Sequence, residues 1–187
     1  MITTLLAALL VSTTPPPAEP VMLSTNVGGF GGPLLGLTQL GDGAALLTGG
    51  RGGLVFDDRW LVGAALSATP TFEGALAPLS PSGERLALWS GGLLVEHVIA
   101  PESPMHARVG LVMGGAYVSV ESEDRRTVRG GLAFSAEPNA SLELNATRFL
   151  RVGFTVGYRL VLPAPVEVPA EALRGITGGM TFHFGGF

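Results

Sequence analysis

The chain has 187 residues, of which 47% are hydrophobic and only 14% charged, with Gly 28, Cys 0 and a formal net charge of -4. One domain is the default at this length, and an acidic balance leaves no electrostatic footprint for nucleic acid. The lack of cysteine excludes disulfides, thiolate metal sites and cysteine nucleophiles, and so much glycine argues against a helical protein, since each interior glycine costs a helix about 1 kcal/mol.

The N-terminus "MITTLLAALLVSTTPPPAEP" carries an apolar run from Leu5 to Val11 followed by a Pro-rich stretch. The run is too short to span a bilayer as a helix but suits a secretory h-region, although Ile2, Thr3 and Thr4 supply no basic n-region. Residues 1–20 are therefore expected to be a signal peptide and Pro-rich leader, and residues 21–187 a single β-barrel domain.

Beyond Pro20, no stretch keeps a 3.6-residue period, whereas several alternate with period two between Gly, Pro, Asp or Ser clusters. The alternation predicts eight strands over residues 34–40, 44–56, 60–68, 85–99, 105–120, 132–146, 150–162 and 176–184. Many approach the 9–11 residues that cross a membrane at a tilt. Asp57-Asp58, "PESP" (101–104) and 147–149 make short connections, while 69–84, 121–131 and 163–175 are long, polar or Pro-rich. The turn around Gly41–Gly43 breaks that pattern. In an up-and-down barrel, such sorting puts short turns at one rim and long loops at the other, as in outer-membrane barrels.

Within 44–56, Arg51 lies among Gly49 and Gly53, opposite Leu46, Leu54 and Phe56. Residues 86–98 fit the alternation worst. Trp89, Leu93 and Val95 take one face, Leu88 and Leu94 the other, and Glu96 interrupts. In 105–120, Val109, Leu111, Met113 and Tyr117 oppose His106, Arg108, Gly110, Gly114 and Ala116. The hairpin "FSAEPNASLELNATRFLRVGFTVGYRL" (134–160) has one wholly apolar face and one polar face. A three-residue turn there sets Asn145 opposite Arg151, Ser141 opposite Thr155 and Glu137 opposite Arg159, with Glu143 diagonal to Arg151. Cross-strand neighbours about 5 Å apart can form ion pairs, so Glu137, Arg159, Glu143 and Arg151 are candidates for a structural lumen network.

Alone, this hairpin fits a soluble barrel with solvated charges better than a membrane barrel. The other strands reverse that preference, because small residues beside isolated arginines suit a narrow eight-stranded lumen, and all 11 basic residues are arginine. The expected fold is an eight-stranded antiparallel up-and-down β-barrel of the transmembrane, outer-membrane type. Arginine at Leu144 or Phe154 should then block assembly. Trp60, Trp89, Tyr117, Tyr158, Phe154 and Phe182 are candidates for interfacial girdles. The repeated Gly-Gly pairs lack a phosphate-loop context and read as barrel curvature.

No cofactor or metal site emerges. Only His97, His106 and His183 are present, neither paired on one strand face nor in a helical HExxH. Adjacent Glu96 and His97 point to opposite faces. A lipid-modifying barrel enzyme, one alternative, would need Ser, His and an acid at one rim; His183 with a loop serine is the combination available, without supporting spacing. A soluble lipocalin-like barrel with an apolar ligand, the other alternative, inverts every face.

The C-terminal "GITGGMTFHFGGF" resembles the closing strand of bacterial outer-membrane barrels, which ends in an aromatic residue read by the assembly machinery. Phe182 and Phe184 are out of step with Phe187, which calls for a bulge at Gly185-Gly186. With "GGFGGP" (28–33), "GGRGG" (49–53), "EPNASLELN" (137–145) and "GYRLV" (157–161), the chain resembles a family of small, Gly-rich bacterial outer-membrane barrel-like proteins without an assigned activity. The resemblance implies a location in the bacterial outer membrane, and as partners the membrane's lipid and the assembly machinery. It implies no catalytic residues.

Overall fold

The computed structural model describes residues 26–70, 85–121, 127–162 and 168–186, without the side chains of 127–128. The expected signal peptide and leader fall outside these residues, as do most of the long connections. Eight antiparallel strands close into a barrel in sequence order. They are β1 (Val27–Leu40), β2 (Gly43–Phe56), β3 (Trp60–Ala68), β4 (Arg85–Ile99), β5 (Met105–Glu121), β6 (Thr127–Asn145), β7 (Leu150–Leu162) and β8 (Gly175–Gly186), with one turn of helix, α1 (Ala170–Leu173), before β8.

Followed across the ladders from Phe56, the register passes Trp60, His97, Val109, Ala140, Val156, Gly178 and Leu37 and returns to β2 at Leu46. Phe56 to Leu46 is a stagger of ten residues. With a rise of 3.3 Å and a strand spacing of 4.8 Å, that stagger tilts the strands by roughly 40°. Eight strands so tilted leave a lumen that side chains alone can fill.

The short connections share one rim, and local chemistry forms each. Asp57 and Asp58 adopt φ 50° and 55°, the left-handed region that Asp tolerates better than most residues. Arg59 N donates to Phe56 O across this turn at 3.0 Å. In the last short turn, Thr147 Oγ1 accepts from the amides of Phe149 and Leu150. The short Gly41-Asp42 turn sits at the opposite rim. There α1 covers it, and Gly41 N donates to Ala172 O at 2.7 Å.

The apolar face is outward on every strand. Leu35, Leu54, Val62, Leu66, Leu93, Val109, Met113, Leu142, Phe154 and Val156 are all exposed. Trp60, at 50% exposure, lies by the short-turn rim. Trp89, at 59%, is cross-strand to Tyr117 towards the other rim. Phe154 and Phe182 lie inside the belt between these aromatics. A closed barrel with such an exterior is built to contact hydrocarbon.

Two expectations about the strands are corrected. The first strand begins at Val27, because Gly28–Pro33, a turn signal in sequence, continues the ladder. Pro33 pairs with Gly50 of β2, and no pair with β8 forms at Gly32 or Pro33. The bulge at Gly185-Gly186 is not present either. Both residues keep the register that β8 holds with β1 from Thr177 onwards, and Phe187 is outside the described residues.

Depth in the belt sets the cost of a charge. Phe154→Arg, within the belt, should cost about 2–4 kcal/mol. The expectation for Leu144→Arg is corrected, because Leu144 lies one residue from the end of β6 at the short-turn rim, where arginine costs only about 0–1 kcal/mol and should not block assembly. Urea unfolding of the chain refolded into lipid vesicles measures both.

Candidate functional site: a buried charge chain in the lumen

The inward face divides into three zones. On the β1–β4 side of the short-turn half, Phe30, Val55, Leu61, Leu94 and Val98 pack into an apolar cluster. Facing it, β4, β5, β6 and β8 supply most of the buried polar groups, and β2 adds Arg51. At the long-loop rim a second cluster, including Leu40, Leu86, Leu88, Val118, Val120 and Val161, packs under Val168 and Leu173. Segment 86–98 is thereby resolved. Leu88, Leu94 and Glu96 point inward, where the first two are core and the third is an ion-pair partner.

The charges form a chain across the lumen. Arg51 Nη1 donates to Glu96 Oε1 at 2.8 Å, and Glu96 Oε2 lies 3.0 Å from Arg108 Nη1. Arg108 Nη2 then donates to Glu143 Oε1. His183 Nδ1 lies 2.7 Å from the same Glu143 oxygen and 3.1 Å from Arg108 Nη2. His106 Nε2 stands 3.3 Å from Glu143 Oε2, without hydrogen-bond alignment. Phe30 meets the His183 ring edge-on, with centroids 5.2 Å apart. All six polar residues are buried.

Glycines opposite the two carboxylates provide the space. Glu96 lies across from Gly110 and Glu143 from Gly153. A Cβ on Gly153 would come within 3.0 Å of Glu143 Cγ, and one on Gly110 would collide with the Glu96 side chain. In so narrow a tube, a carboxylate bent towards the axis fits only where its cross-strand neighbour has no side chain.

The four residues singled out by sequence all point inward: Glu143 lies close enough to Arg151 for their charges to interact, whereas Glu137 and Arg159 take separate hydrogen-bond partners. Glu143 is a centre of the chain, with Arg108, His183 and His106 as its neighbours. Arg151 is buried opposite Asn145 and His183 in the ladders. The expected Glu137–Arg159 ion pair does not form, although the register aligns the two residues. Arg159 donates to Leu173 O at 3.0 Å, Thr38 Oγ1 at 2.8 Å and Gln39 O at 2.6 Å. It thereby ties α1 to β1. Glu137 Oε1 accepts from Thr177 Oγ1 at 2.9 Å. It also lines a cavity of about 40 Å³ in mid-barrel, with Arg51, Ser67, Ser90, Ser135 and Thr155 among the other walls. The carbonyls at the α1 end fit the guanidinium fork, and they draw it away from the carboxylate.

Sequence reasoning placed Arg51, Arg108 and His106 on the inner face without joining them, and it missed Glu96 and His183 as members. For Glu96 the available signal was a charged residue facing glycine across the ladder; His183 faces Arg151 and carried no such signal. His183, considered for a catalytic triad, has Glu143 and Arg108 at its Nδ1. Adjacent His97 points outward, away from Glu96.

No protein-family model and no curated protein sequence matches the chain. Among solved structures, it is similar to Neisserial surface protein A (NspA), with TM-score 0.55 and 11% identity over 86% of this chain and 97% of that one. It is similar also to Ail, the attachment invasion locus protein of Yersinia pestis, with TM-score 0.49 and 12% identity over 85% and 97% of the two chains. A third is the outer membrane protein OprG from Pseudomonas aeruginosa, with TM-score 0.46 and 12% identity over 86% and 94%. The NspA likeness establishes a shared fold. The chain is a closed eight-stranded barrel of the bacterial outer-membrane type.

Removing one partner from a buried pair strands the other charge, at about 3–5 kcal/mol. Arg108→Met and Glu143→Gln should each cost about that much, and the double variant clearly less than their sum. A double-mutant cycle in the same unfolding assay checks this. The cycle for Glu137→Gln and Arg159→Ala should show a coupling clearly smaller than that of Arg108 and Glu143, since no ion-pair contact joins the two and only their charges interact.

Proposed function

We propose that this chain is a small barrel of the bacterial outer membrane with a structural or interaction role and a filled, non-conducting lumen. The observation that carries this reading is the interior itself. An apolar plug under α1, a second apolar cluster and the ion-pair chain occupy the tube, and the mid-barrel cavity of about 40 Å³ holds no more than a few waters. In this reading Glu143 and Arg151 belong to the lumen's structural charges, Arg159 anchors α1, and Glu137 lines the cavity. The lipid of the membrane and the barrel assembly machinery, engaged through the C-terminal strand, are its partners. Further partners would meet the long-loop rim.

The soluble lipocalin-like alternative is disfavoured, because its ligand needs an apolar interior cavity. Here the cavity wall is rich in hydroxyls and the unpartnered apolar surface is outside. The lipid-modifying alternative draws no support from His183, which is buried within the charge chain.

Cell fractionation with gel mobility before and after boiling tests the reading, together with conductance in planar bilayers. The account expects recovery in the outer-membrane fraction, a heat-dependent mobility shift and no conductance steps. Recovery in the soluble periplasmic fraction would overturn the membrane assignment, and stable porin-like steps would overturn the filled lumen.

A further inference from the structure

The short-turn rim carries a hollow that is separate from the lumen charges. It has a volume of about 430 Å³ and lies between the β2–β3 turn and the β4–β5 loop, with Arg59 on one side, Glu102 on the other, and His97, Ile99 and Ala100 between them. Val98 N donates to Arg59 O at 2.8 Å, fixing the turn against β4. Ala100 then takes φ 57°, unfavourable for a residue with a Cβ, and turns the chain away from β4. Ser103 N closes the loop onto Ala100 O at 3.0 Å.

The groups around this hollow are unmatched. Arg59 and Glu102 are exposed, and neither side chain forms an ion pair or hydrogen bond among the described residues, with each other or with any third group. His97 Nδ1 is buried without a partner there, and its ring packs on Trp60 with centroids 4.5 Å apart. Exposed Ile99 is part of the wall of the hollow, and exposed Trp60 packs on its His97. A cation and an anion above an apolar wall are complementary to a phosphate and an ammonium carried on acyl chains. A purely anionic headgroup would be repelled by Glu102, and a free phosphate would make no use of the apolar wall.

We propose that this hollow seats the headgroup of a zwitterionic phospholipid of the phosphatidylethanolamine class, a proposal that rests on the bilayer-spanning reading above. Arg59 faces the phosphate oxygens, Glu102 faces the ammonium, His97 forms part of the wall between them, and the acyl chains run past Trp60 and Ile99.

The test is native mass spectrometry of the chain released from nanodiscs of equimolar phosphatidylethanolamine, phosphatidylglycerol and phosphatidylcholine, with heat-modifiable mobility as the check that each variant is folded. The wild type should retain one phosphatidylethanolamine with about a threefold preference over phosphatidylglycerol, the scale of one exposed ion pair. Glu102→Gln should bring the two lipids to parity, and Arg59→Gln should lower retention of both. Soluble phosphoethanolamine should fail to displace the lipid; displacement at equal concentration would assign the site to the free headgroup and refute the lipid. Equal retention of all three lipids by the wild type, or a preference that survives both substitutions, also overturns the proposal. A chain that inserts without preference refutes this site alone, whereas a chain that does not insert refutes the bilayer reading.

Discussion

A tube of eight strands has no room for bulk water, so a charge turned into it must be balanced by side chains from other strands. That constraint organises the interior. Arg51, Glu96, Arg108 and Glu143 alternate in sign and come from β2, β4, β5 and β6, with His183 of β8 joining at Glu143. Hydrogen bonds between strands link only neighbours around the wall, whereas Arg51–Glu96 joins β2 to β4 and Glu143–His183 joins β6 to β8, each past an intervening strand. Buried ion pairs are weak contributors to net stability compared with apolar packing, but a half-removed pair is costly. A barrel with slipped register would separate the charges from their partners, and Glu96 and Glu143 from the glycines that make room for them.

The exterior and the loop rim follow from the same geometry. With charges confined to the lumen, outward positions are free to be aliphatic or aromatic, and no backbone donor on a closed barrel needs solvent. At the long-loop rim the chain uses apolar packing. Val168 and Leu173 bury against Leu40, Leu88, Val118 and Val120, while Arg159 binds the carbonyls of Leu173 and Gln39. An α1 of four residues is too short to persist alone; the barrel mouth and this guanidinium hold it.

Most strand positions were legible because a period of two survives wherever one face meets lipid and the other a polar lumen. The hairpin at 134–160 is the clearest case, and its register placed Asn145 opposite Arg151 and Ser141 opposite Thr155, as observed. The pattern blurred in residues 86–98, because there the inward face is itself partly core. Leu88 and Leu94 are as apolar as Trp89 and Leu93 across the strand. The start of β1 was hidden because glycine and proline, which usually punctuate, here occupy ladder positions. The Glu137–Arg159 pairing failed for a different reason. Register gives neighbours along a wall, but long side chains in a narrow tube reach across it, and α1's carbonyls were invisible to a strand-by-strand reading. The charge chain escaped for the same cause, since Arg51 and Glu96 lie on strands that are not adjacent.

The decisive measurement is residue-by-residue accessibility along β7, which the cysteine-free sequence permits without prior substitutions. Single cysteines from 150 to 162 carry a spin label, and collisions with lipid-soluble oxygen are recorded in vesicles. The account predicts maxima at Val152, Phe154, Val156 and Tyr158 and minima at Arg151, Thr155 and Arg159. Maxima at the arginines, or no two-residue alternation at all, would contradict it.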